Sequence, residues 1–159
     1  MTALAKVTFW LALGLGVGAV VFVSFVVAPA VFAALPSETA GMVMGRIFPL
    51  YYAFTAACGC VGLAAALALW RRSQGARAWR ATVVMVVVML AATTYAGSVV
   101  NPRARELRSL LHQSSGDPTV RAEFDRLHRR AVQLNGLVLL LGLVAVGVAA
   151  ISLRLPGER

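Results

Sequence analysis

The stretch DPTVRAEFDRLHRRAVQLNGLVLLLGLVAVGVAAISL, residues 117–153, decides the fold, because it describes one helix passing between two solvents. Asp117 is suited to cap the free N–H groups of a helix start, and Pro118 to sit in its first turn. Residues 120–130 are amphipathic and carry Arg121, Glu123, Asp125, Arg126, Arg129 and Arg130, whereas residues 131–153 carry no charge. At about 1.5 Å of rise per residue that uncharged run reaches roughly 34 Å, more than the bilayer core of about 30 Å. His128 stands at the junction, and Asn135, seven residues on, shares its helix face.

The rest of the chain repeats the pattern. Three more uncharged runs, at 7–35, 47–70 and 81–102, are each long enough to cross a membrane. Hydrophobic residues make up 60% of the chain and charged residues 13%, far from the balance of a soluble domain. A soluble bundle would also need polar residues along the outer face of every helix, and these runs have almost none. The expectation is therefore an all-α chain, an integral membrane four-helix bundle in a single domain. Its spans are placed near 7–35, 38–70, 79–101 and 131–154, with an extramembrane helical hairpin at 102–130 between spans three and four. The first run is too long for a signal-peptide core and is expected to be retained.

A formal charge of +9 does not point to nucleic acid, because the positive residues sit at helix ends and between spans, where membrane proteins carry them. The lipid bilayer is the expected partner, with a second copy of the chain and a soft metal or small solute as further candidates. Cys58 and Cys60 are two apart, about 200° around a helix, so they cannot pair with each other or share one metal.

Taken in order, the chain offers several local features. Gly14 and Gly18 form a GxxxG pair with Gly16 between them, read as close packing inside the bundle in preference to a dimer face. Pro29 falls late in the first span, where it kinks or helps to end the helix. Ser37 is placed to cap the second helix, with Glu38 in its first turn. Arg46 comes where the second span begins, and Tyr51 and Tyr52 are read by default as aromatics of the membrane interface, with a cavity lining as the alternative.

Thr94, Ser98, Asn101 and Arg105 are spaced four, three and four apart, which draws one polar line down the end of the third span. Leu107, Leu110 and Leu111 then give an apolar face to a helix that turns back near Ser115-Gly116 onto Phe124 and Leu127. Up-and-down connectivity gathers Arg46, Tyr52, Ser98, Asn101, Arg105, Asp125, His128 and Asn135 around one mouth. Either these side chains hold a ligand, or they form a polar network that fixes the hairpin to the bundle; an amide inside a span favours function. Asp125, three residues from His128, is placed to orient the imidazole. His112 lies too near the hairpin tip to join them.

No catalytic set or cofactor motif is present: there is no GxSxG, no pair of buried carboxylates and no phosphate-cradling glycine loop. One His and one carboxylate make a weak metal site, so the metal question stays open. Sulfur offers the other chemistry. Cys58, Met42, Met85 and Met89, with Met44 and Cys60 nearby in the sequence, are ligand types that suit a soft metal, although Met in an apolar helix is ordinarily a gap-filler.

The segments FVVAPAVFAALPSETAGMVMGRIFPLYYAF (25–54), Asn101-Pro102-Arg103 and FDRLHRRAVQLNGLVLLLGL (124–143) resemble the transmembrane protein 205-like family, a membrane domain of unknown function. The resemblance implies four helical spans. It also implies a link to metal-drug resistance, since the animal member is associated with resistance to platinum drugs and a sulfur-based transfer path has been suggested for it. Cys58 falls where that relative has a membrane cysteine.

Two function classes follow as expectations. One is a small transporter or resistance factor for a soft metal or a small polar solute; the other is a scaffold that binds a partner or lipid through its hairpin. A haem or redox bundle is disfavoured, because a single His at the mouth offers one axial ligand at most. The side with both termini and the loop at 71–80 carries seven Lys and Arg and the opposite side eight, the latter offset by Glu106, Asp117, Glu123 and Asp125. Short loops weigh most, however, and the loop at 71–80 carries four Arg and no acid. That places both termini in the cytoplasm, of a bacterial-type inner membrane. In intact cells Ser115→Cys should react with an impermeant maleimide from outside, and Gly75→Cys only after the membrane is opened. The reverse pattern would overturn the orientation and leave the fold standing.

Overall fold

The computed structural model describes residues 2–73, 76–113 and 117–151. Positions 75 and 114–116, the side chain of His112 and the expected end of the last span near 154 lie outside the described residues.

Six α-helical segments run in the order α1 (Thr2–Phe22), α2 (Ala28–Ala34), α3 (Ser37–Arg72), α4 (Arg77–Tyr95), α5 (Asn101–Gln113) and α6 (Pro118–Ile151). A π turn, Val23–Val27, joins α1 to α2, and a second, Ala96–Val100, joins α4 to α5. The continuous rods are thus four, and each is long and apolar enough to cross a membrane. They close an up-and-down ring in which α1 packs on α3, α3 on α4, α4 on α6, and α6 back on α1. The outer surface is apolar: Leu50 and Leu140 are 75% and 64% exposed, which suits hydrocarbon and not water.

Both π turns precede a proline by the same interval, and for the same reason. Proline lacks an N–H, and its ring collides with the carbonyl four residues back. For Pro29 that carbonyl belongs to Phe25, and for Pro102 to Ser98; each is the middle residue of its π turn. Widening the turn carries the carbonyl off the ring, and the neighbouring N–H groups of Ala28 and Asn101 bond five residues back, to Val23 and Ala96. Inside a bilayer the backbone has no water to turn to, so this internal repair is what permits proline there.

At the termini end the core is built from Phe9, Leu13, Val17, Ala66, Leu69, Trp79 and Ala145, with Phe9 and Trp79 edge-to-face at 5.4 Å. At the other end Val20, Tyr51, Tyr52, Ala92, Ala96 and Val138 pack together. Beyond them α5 and the start of α6 form the antiparallel hairpin, tied by Arg103 of α5 to Glu123 of α6 at 3.2 Å, while Arg103 also pairs within α5 with Glu106 at 2.8 Å. Asp117 caps α6 by accepting the Thr119 N–H at 2.8 Å. The Thr119 hydroxyl also donates to it, and the two hydrogen bonds hold the carboxyl below the usual carboxylate range.

Three local expectations change. Gly14 and Gly18 do not pack inside the bundle: both are exposed, with no atom near an added Cβ, and Gly16 is the one that meets α3, at Cys58. Ser37 is not a cap, because α3 already begins there and Pro36 takes the cap position without a side-chain bond. Tyr51 and Tyr52 are not interface aromatics, since each is 6% exposed in the core.

Small residues set the helix spacing. A Cβ on Gly142 would lie 2.5 Å from Val17 Cγ2 and 3.2 Å from Met89 Cε, so α6, α1 and α4 meet there with no room to spare. Gly147, one to two turns further along α6, has open space instead. Gly142→Val should therefore lower the unfolding free energy in detergent by about 1–3 kcal/mol, a typical overpacking cost. Gly147→Val should leave it nearly unchanged, and equal effects would contradict this packing.

Candidate functional site

Asn135 lies in the span of α6, where a side-chain amide must find a partner. It finds Tyr51: the phenol O–H donates to Asn135 Oδ1 at 3.2 Å, joining α3 to α6 across the bundle. Tyr51 is held in turn by an aromatic group with Tyr52, centroids 4.9 Å apart, and Phe48, 6.0 Å from Tyr52. Tyr52 is pressed against the π turn of the third rod, where a Cβ on Gly97 would come within 2.8 Å of Tyr52 Cβ. Only glycine lets the π turn approach so closely.

Next to this pair a cavity of about 90 Å³ opens towards the hairpin. Its polar lining is Tyr52, Asn101, Arg105, Arg108, His128 and Asn135; Gly45, Phe48, Val100, Phe124 and Leu127 are among its apolar walls. Asn101 is buried, and His128 lies against Phe124 with the rings nearly parallel and 6.4 Å apart. Two carboxamide residues, a histidine and two arginines thus border one small volume, residue types that offer hydrogen-bond donors to an oxygen-rich or anionic group.

The expected residues separate into two groups. Tyr52, Asn101, Arg105, His128 and Asn135 line the cavity; Arg46, Ser98 and Asp125 do not. Arg46 is exposed. Ser98 faces outward and donates to the Thr94 carbonyl at 2.6 Å. The single polar line expected from Thr94 to Arg105 assumed an unbroken α-helix. The π turn at Ala96–Val100 changes the residues per turn across that line, and Thr94 and Ser98 are exposed while Asn101 is buried. Among the described residues, Asp125 makes neither a hydrogen bond nor an ion pair to His128.

Arg108 is the cavity residue that the sequence reading did not single out. Half-buried, it donates to the Gly41 carbonyl and sits 5.1 Å above the Phe124 ring, so it pins α5 to α3 and α6 at once. Its position four residues after Ala104 and three after Arg105 was the available signal, since that spacing puts it on the Arg105 side of α5.

The sulfur residues are dispersed. Cys58 and Met89 line a void of about 30 Å³ deep in the bundle, otherwise walled mostly by aliphatic residues and glycines. Met85 packs against the core at the termini end, and Met42 and Cys60 are exposed. Among the described residues no three His, Cys, Asp or Glu side chains are grouped to hold a metal.

A family model described as "Domain of unknown function (DUF4149)" matches residues 11–113, from the first span to the end of α5. Comparison with curated proteins and with solved structures gave no match.

Proposed function

This chain belongs to the DUF4149 family, and we propose that it is a small transporter or resistance factor whose solute enters at the mouth lined by Asn101, Arg105, His128 and Asn135. The observation that carries the reading is Asn135. One interhelical hydrogen bond in a membrane contributes only about 0.6–2 kcal/mol, so a leucine there would serve stability nearly as well. An amide that also borders a polar cavity has a use that leucine would not fill.

Within that reading a small polar solute, favourably an anion, fits better than a soft metal. Arg105 and Arg108 both reach the cavity, while the sulfur ligands are scattered between the core, a narrow void and the outer surface. The closer kinship to transmembrane protein 205-like proteins belongs to the same proposal and rests on FPLYY (48–52), Asn101-Pro102-Arg103 and FDRLHRR (124–130). So do the cytoplasmic termini and the bacterial-type inner membrane. The alternative, a scaffold that binds a partner or lipid through its hairpin, would leave the mouth residues without a role beyond packing.

Proteoliposomes loaded with labelled phosphate or acetate test the proposal, with silver(I) as the soft-metal probe. Flux of an anion should fall about tenfold in Asn135→Leu and in His128→Ala, a factor equivalent to about 1.4 kcal/mol. Cys58→Ser should leave it unchanged. Silver flux that Cys58→Ser abolishes would overturn the choice of solute. An active Asn135→Leu variant would overturn the mouth.

A further inference from the structure

A second hollow adjoins the mouth and is chemically unlike it. About 300 Å³ in volume, it lies between the first rod and α6, walled by Val23, Phe25 and Ala28 on one side and by Val132, Gly136 and Leu139 on the other. Phe48, His128, Val132 and Asn135 form its border with the mouth cavity, since all four line both. The cause is the π turn at Val23–Val27. Below it α1 packs against α6; beyond it α2 leans onto α3, and the two walls part. Gly136 widens the gap from the other side, with no atom within 4 Å of an added Cβ.

A third hollow of about 500 Å³ sits at the hairpin end over the same His128, and Ser37, Glu38, Arg108 and Arg121 contribute its polar wall. Three spaces of graded chemistry thus meet at one imidazole: an apolar slot at membrane depth, a polar cavity, and a cationic vestibule. Arg103 already engages Glu106 and Glu123. Among the described residues Arg121 forms no ion pair, so two guanidinium groups, Arg108 and Arg121, stand against the one carboxylate of Glu38 around the vestibule.

An apolar slot facing a bilayer does not stay empty, because its lining would lose contacts that hydrocarbon supplies. Basic residues beside such a slot attract anionic headgroups. We infer that the cleft between the first rod and α6 binds one phospholipid with an anionic headgroup, its acyl chain against Phe25, Val132 and Gly136 and its phosphate at Arg108, Arg121 and His128. The headgroup half rests on the mouth being a ligand site; the acyl half rests on the cleft alone.

The test uses the full chain in nanodiscs with phosphatidylglycerol or phosphatidylcholine carrying a photoreactive group on the acyl chain, and mapping of the label by mass spectrometry. Label should concentrate on residues 23–28 and 132–139. The anionic probe should be favoured at least about fivefold, the factor expected from one arginine near a membrane surface. Gly136→Leu, which has room for its side chain, should fill the slot and remove the label. Arg121→Gln, at an exposed residue, should bring the two lipids to parity while the label stays in place. Equal labelling by the two lipids in the unmodified protein, label spread over all outer helix faces, or undiminished label in Gly136→Leu would each overturn the inference. Displacement of the label by millimolar glycerol phosphate would reassign the site to a free phosphate ester and overturn the lipid. If the lipid result fails while Asn135→Leu still lowers solute flux about tenfold, the mouth stands without the lipid; failure of both removes the mouth as well.

Discussion

A carboxamide inside a membrane span has to be partnered, and the hydrogen bond from Tyr51 to Asn135 meets that demand across the bundle. Much of the hairpin end follows from it. Tyr51 must be buried to reach α6, which draws Tyr52 and Phe48 inward with it and forces the third rod to present Gly97 at the point of contact. His128, seven residues before Asn135 on the same face, is thereby aimed at the same space. The aromatic group closes the floor of the cavity, and the hairpin closes its roof.

Proline supplies the second constraint. Pro29 and Pro102 would each drive a ring into a carbonyl, and a π turn relieves each collision without leaving backbone groups unpaired in hydrocarbon. The consequences differ by position. In the third rod the π turn re-aims the chain so that Asn101 and Arg105 face the cavity. In the first rod it swings α2 onto α3 and opens the cleft against α6.

The number of spans, their order and the mouth as a meeting place of polar side chains were legible in the sequence, because uncharged length and up-and-down connectivity need no knowledge of packing. Asn135 and His128 were legible for a related reason: seven residues on a straight helix preserve a face. What could not be read was rotation. The π turn breaks the spacing that joined Ser98 to Asn101, and nothing in the residue types of AGSVV announces an added residue per turn. Which faces of the first rod look outward was equally hidden, so Gly14 and Gly18 were assigned to the interior that Gly16 occupies. The spacing of Arg108 from Arg105 placed it on the right side of α5, but its bond to the Gly41 carbonyl of α3 is a contact that no sequence spacing encodes.

The Tyr51–Asn135 pair admits a direct measurement: a double-mutant cycle of Tyr51→Phe, Asn135→Leu and the two together, read as unfolding free energy in detergent. A bond joining α3 to α6 predicts a coupling of about 0.6–2 kcal/mol between the two substitutions, each single change still yielding a folded bundle. Strictly additive effects would contradict it, and with it the placement of Asn135 on the cavity wall.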